Sequence, residues 1–401
     1  MPLSYYGLLM AQGIRYKVIL LACLIISIGQ LSMGLVLPSL PWIAKDFGIT
    51  LDQAQLLVGI YLLGFGPSQF IYGPISDAIG RKKVLLAGLI IALLGLILII
   101  SMNHSFEGMV LGRFLQGIGT GCCAVLARAS TRDQFSGAEL PIALSYIAMA
   151  ASITPVIAPV LGGFINFHFG WNMVFVSLFS YVALAWVIIT MLFKETIAEK
   201  SSIPSFKHII KQYGQLLSSS YFISFASISW LNFSLMITAV SVMPFIMQNQ
   251  IGMNSDEYAL WVLIPALGMI GGTTICNRIR PIIGNKRMLL CSPALHIASA
   301  IWLFVCPMEP LYIMLGQMLM ILGNGIALPC AQAMVMLPYK KQAGAAAALS
   351  GGGQMIVSSL VSMGLVKLGL SQPWHLSVVI ALFALVTIGN IVRGFRVTQP
   401  Q

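Results

Sequence analysis

One cation stands alone inside an apolar run. Arg113 lies about two turns from the end of the stretch 107–129, where an unpaired charge in lipid is expensive unless it meets water or a partner. Gln116 follows three residues later, on the same helical face. Two uses fit the pair. Arg113 either meets an anionic or hydrogen-bonding substrate group or a coupled proton, or it ties helices together through carbonyls or Gln30. The acids give a second kind of chemistry. All eleven lie at or outside the ends of apolar runs, and none sits at the centre of one. Glu107 and Glu139 near run ends, and His296 within 287–306, are the groups left to carry a proton; a histidine titrates near neutral pH but equally serves as a packing donor. No nucleophile–base pair, phosphate-binding loop or metal cluster is present, so the chain reads as no enzyme, with no catalytic residue, no metal ligand and no cofactor beyond a proton gradient.

These groups need a frame, and composition names it. Of 401 residues only 8% are charged and 58% are hydrophobic, with mean hydropathy +0.92. A soluble domain carries about 25% charged residues, so the solvent here is lipid. The apolar runs are continuous, which suits helices rather than the alternating polarity of a barrel. Twelve spans are expected, at about 17–38, 53–75, 83–101, 107–129, 139–166, 172–193, 221–247, 257–279, 287–306, 309–334, 341–370 and 373–395. The first is read as a retained helix rather than a signal peptide, and the seven cysteines as small apolar filling. The net charge of +11 comes from scattered basic residues, which excludes a nucleic-acid footprint. With the N-terminus inside, nineteen basic residues fall in inside segments and two, Lys45 and Lys367, outside. That bias predicts both termini in the cytoplasm, and the expected location is the cell inner (cytoplasmic) membrane, crossed many times.

The longest polar stretch, 194–220, divides the spans six and six. The expected organisation is therefore an N-terminal six-helix bundle over 1–193, a cytoplasmic linker with a surface helix over 194–220, and a C-terminal six-helix bundle over 221–401. Gly73-Pro-Ile-Ser-Asp77 with Gly80-Arg81-Lys82-Lys83 is echoed by Gly272 to Arg278 with Gly284-Asn-Lys286-Arg287, which pairs Asp77 with Asn277 at 200 residues. Two related halves place a binding chamber at their junction.

Three segments carry a family resemblance across the whole chain. Gly73-x-x-x-Asp77-x-x-Gly80-Arg81-Lys82-Lys83 resembles motif A of the major facilitator superfamily, with Ala78 where a basic residue is usual. Arg113-Phe-Leu-Gln116-Gly117-Ile-Gly119 resembles its motif B. Thr154-Pro155-Val-Ile-Ala158-Pro159-Val-Leu-Gly162-Gly163 resembles motif C, the antiporter motif, with Ala158-Pro159 in place of Gly-Pro. The paired prolines, Leu37-Pro38-x-x-Pro41, the run Tyr61 to Gln69 and Gly344-Ala-Ala-Ala are similar to the bicyclomycin/EmrD-like drug:proton antiporters.

The resemblance implies an all-α membrane protein of twelve helices in two pseudo-symmetric bundles, and it implies roles. Gly73, Asp77, Gly80 and Arg81 would gate the cytoplasmic side, Asp77 bonding the start of the eleventh span near Gly344 and Arg81 pairing with Asp133. Pro155, Pro159, Gly162 and Gly163 would form the hinge and seal of an exporter. Polar and aromatic residues at mid-depth are the candidates to touch substrate: Gln30, Tyr61, Gln69, Arg113, Gln116, Tyr146, Met149, Trp230, Asn232, Thr238, Gln317, Asn324 and Gln354, with Thr154 beside them. Gly34 and Thr238 stand where relatives carry proton-binding acids, so the coupling residue stays open. The expected function is efflux of amphipathic, mainly apolar compounds by proton antiport and alternating access, in a monomer whose partners are those small molecules, protons and the bilayer. A metabolite exporter or facilitator (for a sugar or amino acid) and a non-transporting membrane sensor are the rivals.

Overall fold

The computed structural model describes residues 16–137, 139–197, 206–339 and 342–397. Residues 198–205 of the expected linker, with Lys200, and the basic pair Lys340 and Lys341 lie outside them. Among the described residues there is no strand. The chain runs through α1 (Tyr16–Gly34), a 3₁₀ turn Leu37–Ser39, α2 (Leu40–Phe47), α3 (Leu51–Ile79), α4 (Arg81–Ser101), α5 (Phe106–Gln134), α6 (Glu139–Phe169) and α7 (Trp171–Leu192). It continues through α8 (Phe206–Ser218), α9 (Ser220–Phe245), a π-turn Ile246–Gln250, α10 (Ser255–Trp261), α11 (Leu263–Val305), α12 (Pro310–Met336), α13 (Ala343–Lys367) and α14 (Pro373–Arg396). Among the described residues, eleven helical stretches are long and apolar enough to cross a membrane. The longest, Ser255–Val305 at 51 residues, is two crossings, because Gly284 at φ 81° leaves the helical region inside it. Large apolar side chains such as Leu20, Phe164, Leu184, Met191, Phe304 and Leu385 face outward on many of these helices, an apolar surface that suits lipid.

Helix starts repeat through the chain. Leu51 and Ser255, Phe106 and Pro310, and Glu139 and Ala343 each open a helix 204 residues apart. The turn glycines Gly80 (φ 123°) and Gly284 (φ 81°), a conformation that side chains disfavour, keep the same interval. This corrects the sequence register by four residues. Asp77 falls opposite Pro281 rather than Asn277, because the turn glycine fixes the register and the polar residue before it does not.

One apolar core gathers buried residues from Leu21 to Phe193 with Ile237 and Phe245 from later in the chain, and Phe233, Met236, Val240 and Met355 pack against it; two others lie within 216–391. The ends of α1, α6, α9 and the start of α10 lie on one side, here the far side. The start of α1, the Gly80 and Gly284 turns, α8 and the end of α14 lie on the other, the linker side.

Candidate functional site

The far side is drawn shut by polar contacts between distant parts of the chain. Trp42 Nε1 on α2 donates to Gln248 Oε1 at 3.0 Å, and Gln248 Nε2 donates to the Pro38 carbonyl at 2.8 Å. Ser255 Oγ donates to Gln248 Oε1 at 3.2 Å, and Asn166 Nδ2 at the end of α6 donates to Ser255 Oγ at 2.6 Å. Gln248 sits in the π-turn, a distortion common at functional positions. Gly163 completes the closure across the halves, while Gly162 packs within the first half. A Cβ on Gly162 would stand 2.0 Å from the Leu35 carbonyl oxygen, and one on Gly163 would stand 2.4 Å from that of Ser255. Pro155 and Pro159 sit inside α6, which runs unbroken past both.

Contacts between α3 and α13 continue from the far side past mid-depth. Gln55 Nε2 donates to Ser362 Oγ at 2.9 Å, Ser359 Oγ donates to the Gly59 carbonyl at 2.7 Å, and Phe70 covers Gly352. The small residues of α13 thus take α3 against them, while Gly353 receives the Trp230 ring, whose Nε1 donates to the Ser350 carbonyl at 2.9 Å.

The linker side differs. Arg81 Nε meets Asp133 Oδ2 at 3.0 Å, as the motif implies. Asp77, however, pairs with Arg81 of its own helix region, and among the described residues it has no bond to α13. A Cβ on Gly344 would meet nothing within 4 Å, and one on Gly73 only Val125 at 3.8 Å. The expected bond from Asp77 to the eleventh span is therefore not made in this structure, and nothing packs closely on Gly344. Arg81 also donates to Ser76 Oγ.

Glu195 is a member of this network that sequence reasoning did not assign. Its carboxylate accepts from Arg81 N at 2.9 Å and Lys82 N at 3.2 Å at the start of α4, and from Thr196 N and Ile197 N. Partial burial works to raise its pKa, but these backbone donors outweigh burial and hold the carboxyl below its ordinary value. Thr196 Oγ1 donates to Asp133 at 2.8 Å and closes the ring. Its place directly after the sixth apolar run, next to a turn it can cap, was the available signal.

Arg113 is fully buried at 0% exposure. Nε donates to the Leu57 carbonyl at 3.0 Å, Nη1 to the Ser32 carbonyl at 2.9 Å and to Gln116 Oε1 at 2.8 Å, and the guanidinium lies 4.5 Å from the Tyr61 ring centroid. Tyr61 in turn donates to the Gly29 carbonyl at 2.9 Å and meets Thr120 at 2.9 Å. Arg113 therefore ties α1, α3 and α5, and its partners are Ser32 and Leu57 rather than Gln30. Asn232, Thr238, Gln317 and Asn324 are buried too. Of the substrate candidates, Gln30, Gln69, Tyr146, Met149, Trp230 and Gln354 keep accessible surface. Tyr146 and Met149, with Thr154, join Tyr16, Ile19 and Cys23 of α1 around a crevice of about 400 Å³, a size suited to small ligands.

The candidate proton carriers are scattered. Glu107 accepts from Ser105 Oγ at 3.1 Å at the far end of α5, and Glu139 opens α6 on the linker side. His296 is 1% exposed, with Nε2 between the Met320 carbonyl (3.2 Å) and Asn324 Oδ1 (3.1 Å). Two acceptors make that nitrogen a donor that binds α11 to α12.

A sequence profile described as Major Facilitator Superfamily matches residues 22–245. The chain belongs to the Major Facilitator Superfamily. As a facilitator-superfamily protein it is a multi-pass membrane transporter and not an enzyme. It is 29% identical over 91% of both chains to the uncharacterized MFS-type transporter YdgK of Bacillus subtilis (strain 168). To the multidrug resistance protein MdtL of Klebsiella pneumoniae subsp. pneumoniae it is 26% identical, again over 91% of both. Among solved structures, the human organic anion transporter MFSD10 matches its superfamily fold with TM-score 0.70 at 16% identity, covering 96% of this chain and 100% of that one.

Proposed function

We propose that this transporter exports amphipathic, mainly apolar compounds across a bacterial inner membrane in exchange for protons. The observation that carries the reading is the seal at Gly163, where the Ser255 carbonyl of the other half is seated where a side chain would stand. With the N-terminus and linker in the cytoplasm, the seal lies on the outer side, and Asp77, which has no bond to α13 among the described residues, leaves the cytoplasmic side open. Alternating access then exchanges one closure for the other: the Gly163–Ser255 contact opens while Asp77 meets the start of α13 and shuts the inside. The multidrug resistance relative supports drugs as cargo. The α1–α6 crevice, lined by Ile19, Cys23, Met149, Ala150 and Ile153 among others, suits an apolar guest. Arg113 acts in this reading as a positioning residue that holds the first, second and fourth spans. Glu139, on the open side and with no side-chain partner among the described residues, is the first carrier to test.

The experiment is reconstitution of the full chain in liposomes with an imposed pH gradient and a panel of dyes and drugs. Gradient-dependent movement of several unrelated amphiphiles, lost when the gradient collapses, is expected. Transport of one metabolite alone, or transport indifferent to the gradient, overturns the proposal.

A further inference from the structure

The internal repeat exposes a site that one half fills and the other leaves empty. Around Gly80 the first half assembles Asp77, Arg81, Asp133 and Glu195, with a Glu195 oxygen 2.5 Å from where a Gly80 Cβ would stand. At the 204-residue interval set by the turn glycines, Asp77 becomes Pro281, Arg81 becomes Asn285 and Asp133 becomes Leu337. The C-caps of the sixth and twelfth spans, Phe193 and Val397, keep the same interval, so in sequence Glu195 becomes Gln399. Each ionised member is replaced by a neutral residue.

What remains in the second half is a pocket of about 440 Å³ lined by Arg280, Pro281, Gly284, Asn285, Met334 and Leu337. A Cβ on Gly284 would meet nothing within 4 Å. Arg280 has no ion pair among the described residues; the nearby Cys330 thiol is its weak polar neighbour. Residues 206–401 contain three acids, Asp256, Glu257 and Glu309, all at helix starts on the far side. Lys286 and Arg287 add positive charge beside the pocket.

We propose that this pocket binds a phosphate-bearing anion, which takes the place that carboxylates hold in the first half. A guanidinium fork fits phosphate oxygens in pairs, the Asn285 amide adds a donor, and the site lies at helix ends, the depth of lipid headgroups. An anionic phospholipid and free phosphate share this chemistry.

The test uses the purified full-length transporter in detergent, with thermal unfolding and native mass spectrometry. Phosphatidylglycerol, phosphatidylcholine and inorganic phosphate are titrated against wild type, Arg280→Gln, Leu337→Asp and the exposed Lys286→Gln. Wild type and Lys286→Gln are expected to bind and be stabilised by phosphatidylglycerol over phosphatidylcholine. Arg280→Gln should lose about tenfold in apparent affinity, the worth of one charge-assisted hydrogen bond. Leu337→Asp, which supplies an internal carboxylate, should lose a similar amount while staying folded. Stabilisation by inorganic phosphate that needs Arg280 supports the pocket with a soluble ligand; stabilisation by the lipid alone assigns the ligand to the bilayer. An Arg280→Gln response equal to wild type, or a Lys286→Gln loss as large as that of Arg280→Gln, overturns the proposal.

Discussion

Replacing Gly163 by alanine tests the seal with a single methyl. The new Cβ would stand 2.4 Å from the Ser255 carbonyl oxygen and 2.5 Å from the Ala259 Cβ. Neither neighbour can swing away, since one is backbone and the other the short side chain of a helix, so α6 and α10 must part by about 1 Å. Overpacking of this kind costs about 1–3 kcal/mol. Gly163 and Ser255 lie in different repeats, so the cost falls on the far-side-closed state and vanishes once that side opens. The ratio of closed to open molecules should then fall about 5- to 150-fold. Gly162→Ala is the control. Its clash, 2.0 Å from the Leu35 carbonyl, is within one repeat, and it should lower stability without moving the ratio. Pulsed dipolar distances between spin labels at Lys45 and Asn249, both on the far side, read the ratio directly. A Gly163→Ala distribution that matches wild type refutes the reasoning, as does an equal shift in Gly162→Ala.

Other substitutions follow from the same geometry. Gln248→Leu removes the bonds to Trp42, Pro38 and Ser255 and should shift the same distances toward opening, by about fivefold or more in the ratio for a net loss of about 1 kcal/mol or more of closure; an unshifted distribution rejects Gln248 as part of the seal. Arg113→Gln deletes three donated hydrogen bonds and should destabilise by about 3 kcal/mol, seen as a lower thermal midpoint in detergent. Drug affinity of the folded fraction should hold, and a selective affinity loss at unchanged stability would instead make it a ligand. Glu195 has a depressed pKa, so the stability it lends is complete above the ordinary carboxyl value of 4.5 and lost as pH falls through the lower folded value. Glu195→Gln should flatten that acid limb of the stability–pH curve, and a curve superimposable on wild type rejects the capping role.

The spans were legible because lipid demands long unbroken apolar runs, and loops of opposite charge bias mark their ends. The pairing of Arg81 with Asp133 was legible as well, since motif spacing carries it. The register of the repeat was not. Asp77 and Asn277 look alike as polar residues, but a turn is placed by the glycine that can adopt positive φ, and Gly284 decides it. Arg113 was ambiguous in sequence because a buried cation announces a partner without naming it, and backbone carbonyls such as those of Leu57 and Ser32 leave no mark in composition. Gln248 escaped for a similar reason: nothing in Ile-Met-Gln-Asn-Gln shows that its amide will be met by an indole 206 residues away.

The far-side closure is built from amides, hydroxyls, an indole and packed glycines. The two ion pairs among the described residues both lie around Arg81, at the opposite face. Uncharged contacts are little affected by the screening that weakens exposed charges. In the proposed orientation, a cell moving between fresh and saline surroundings would leave these outer hydrogen bonds nearly untouched.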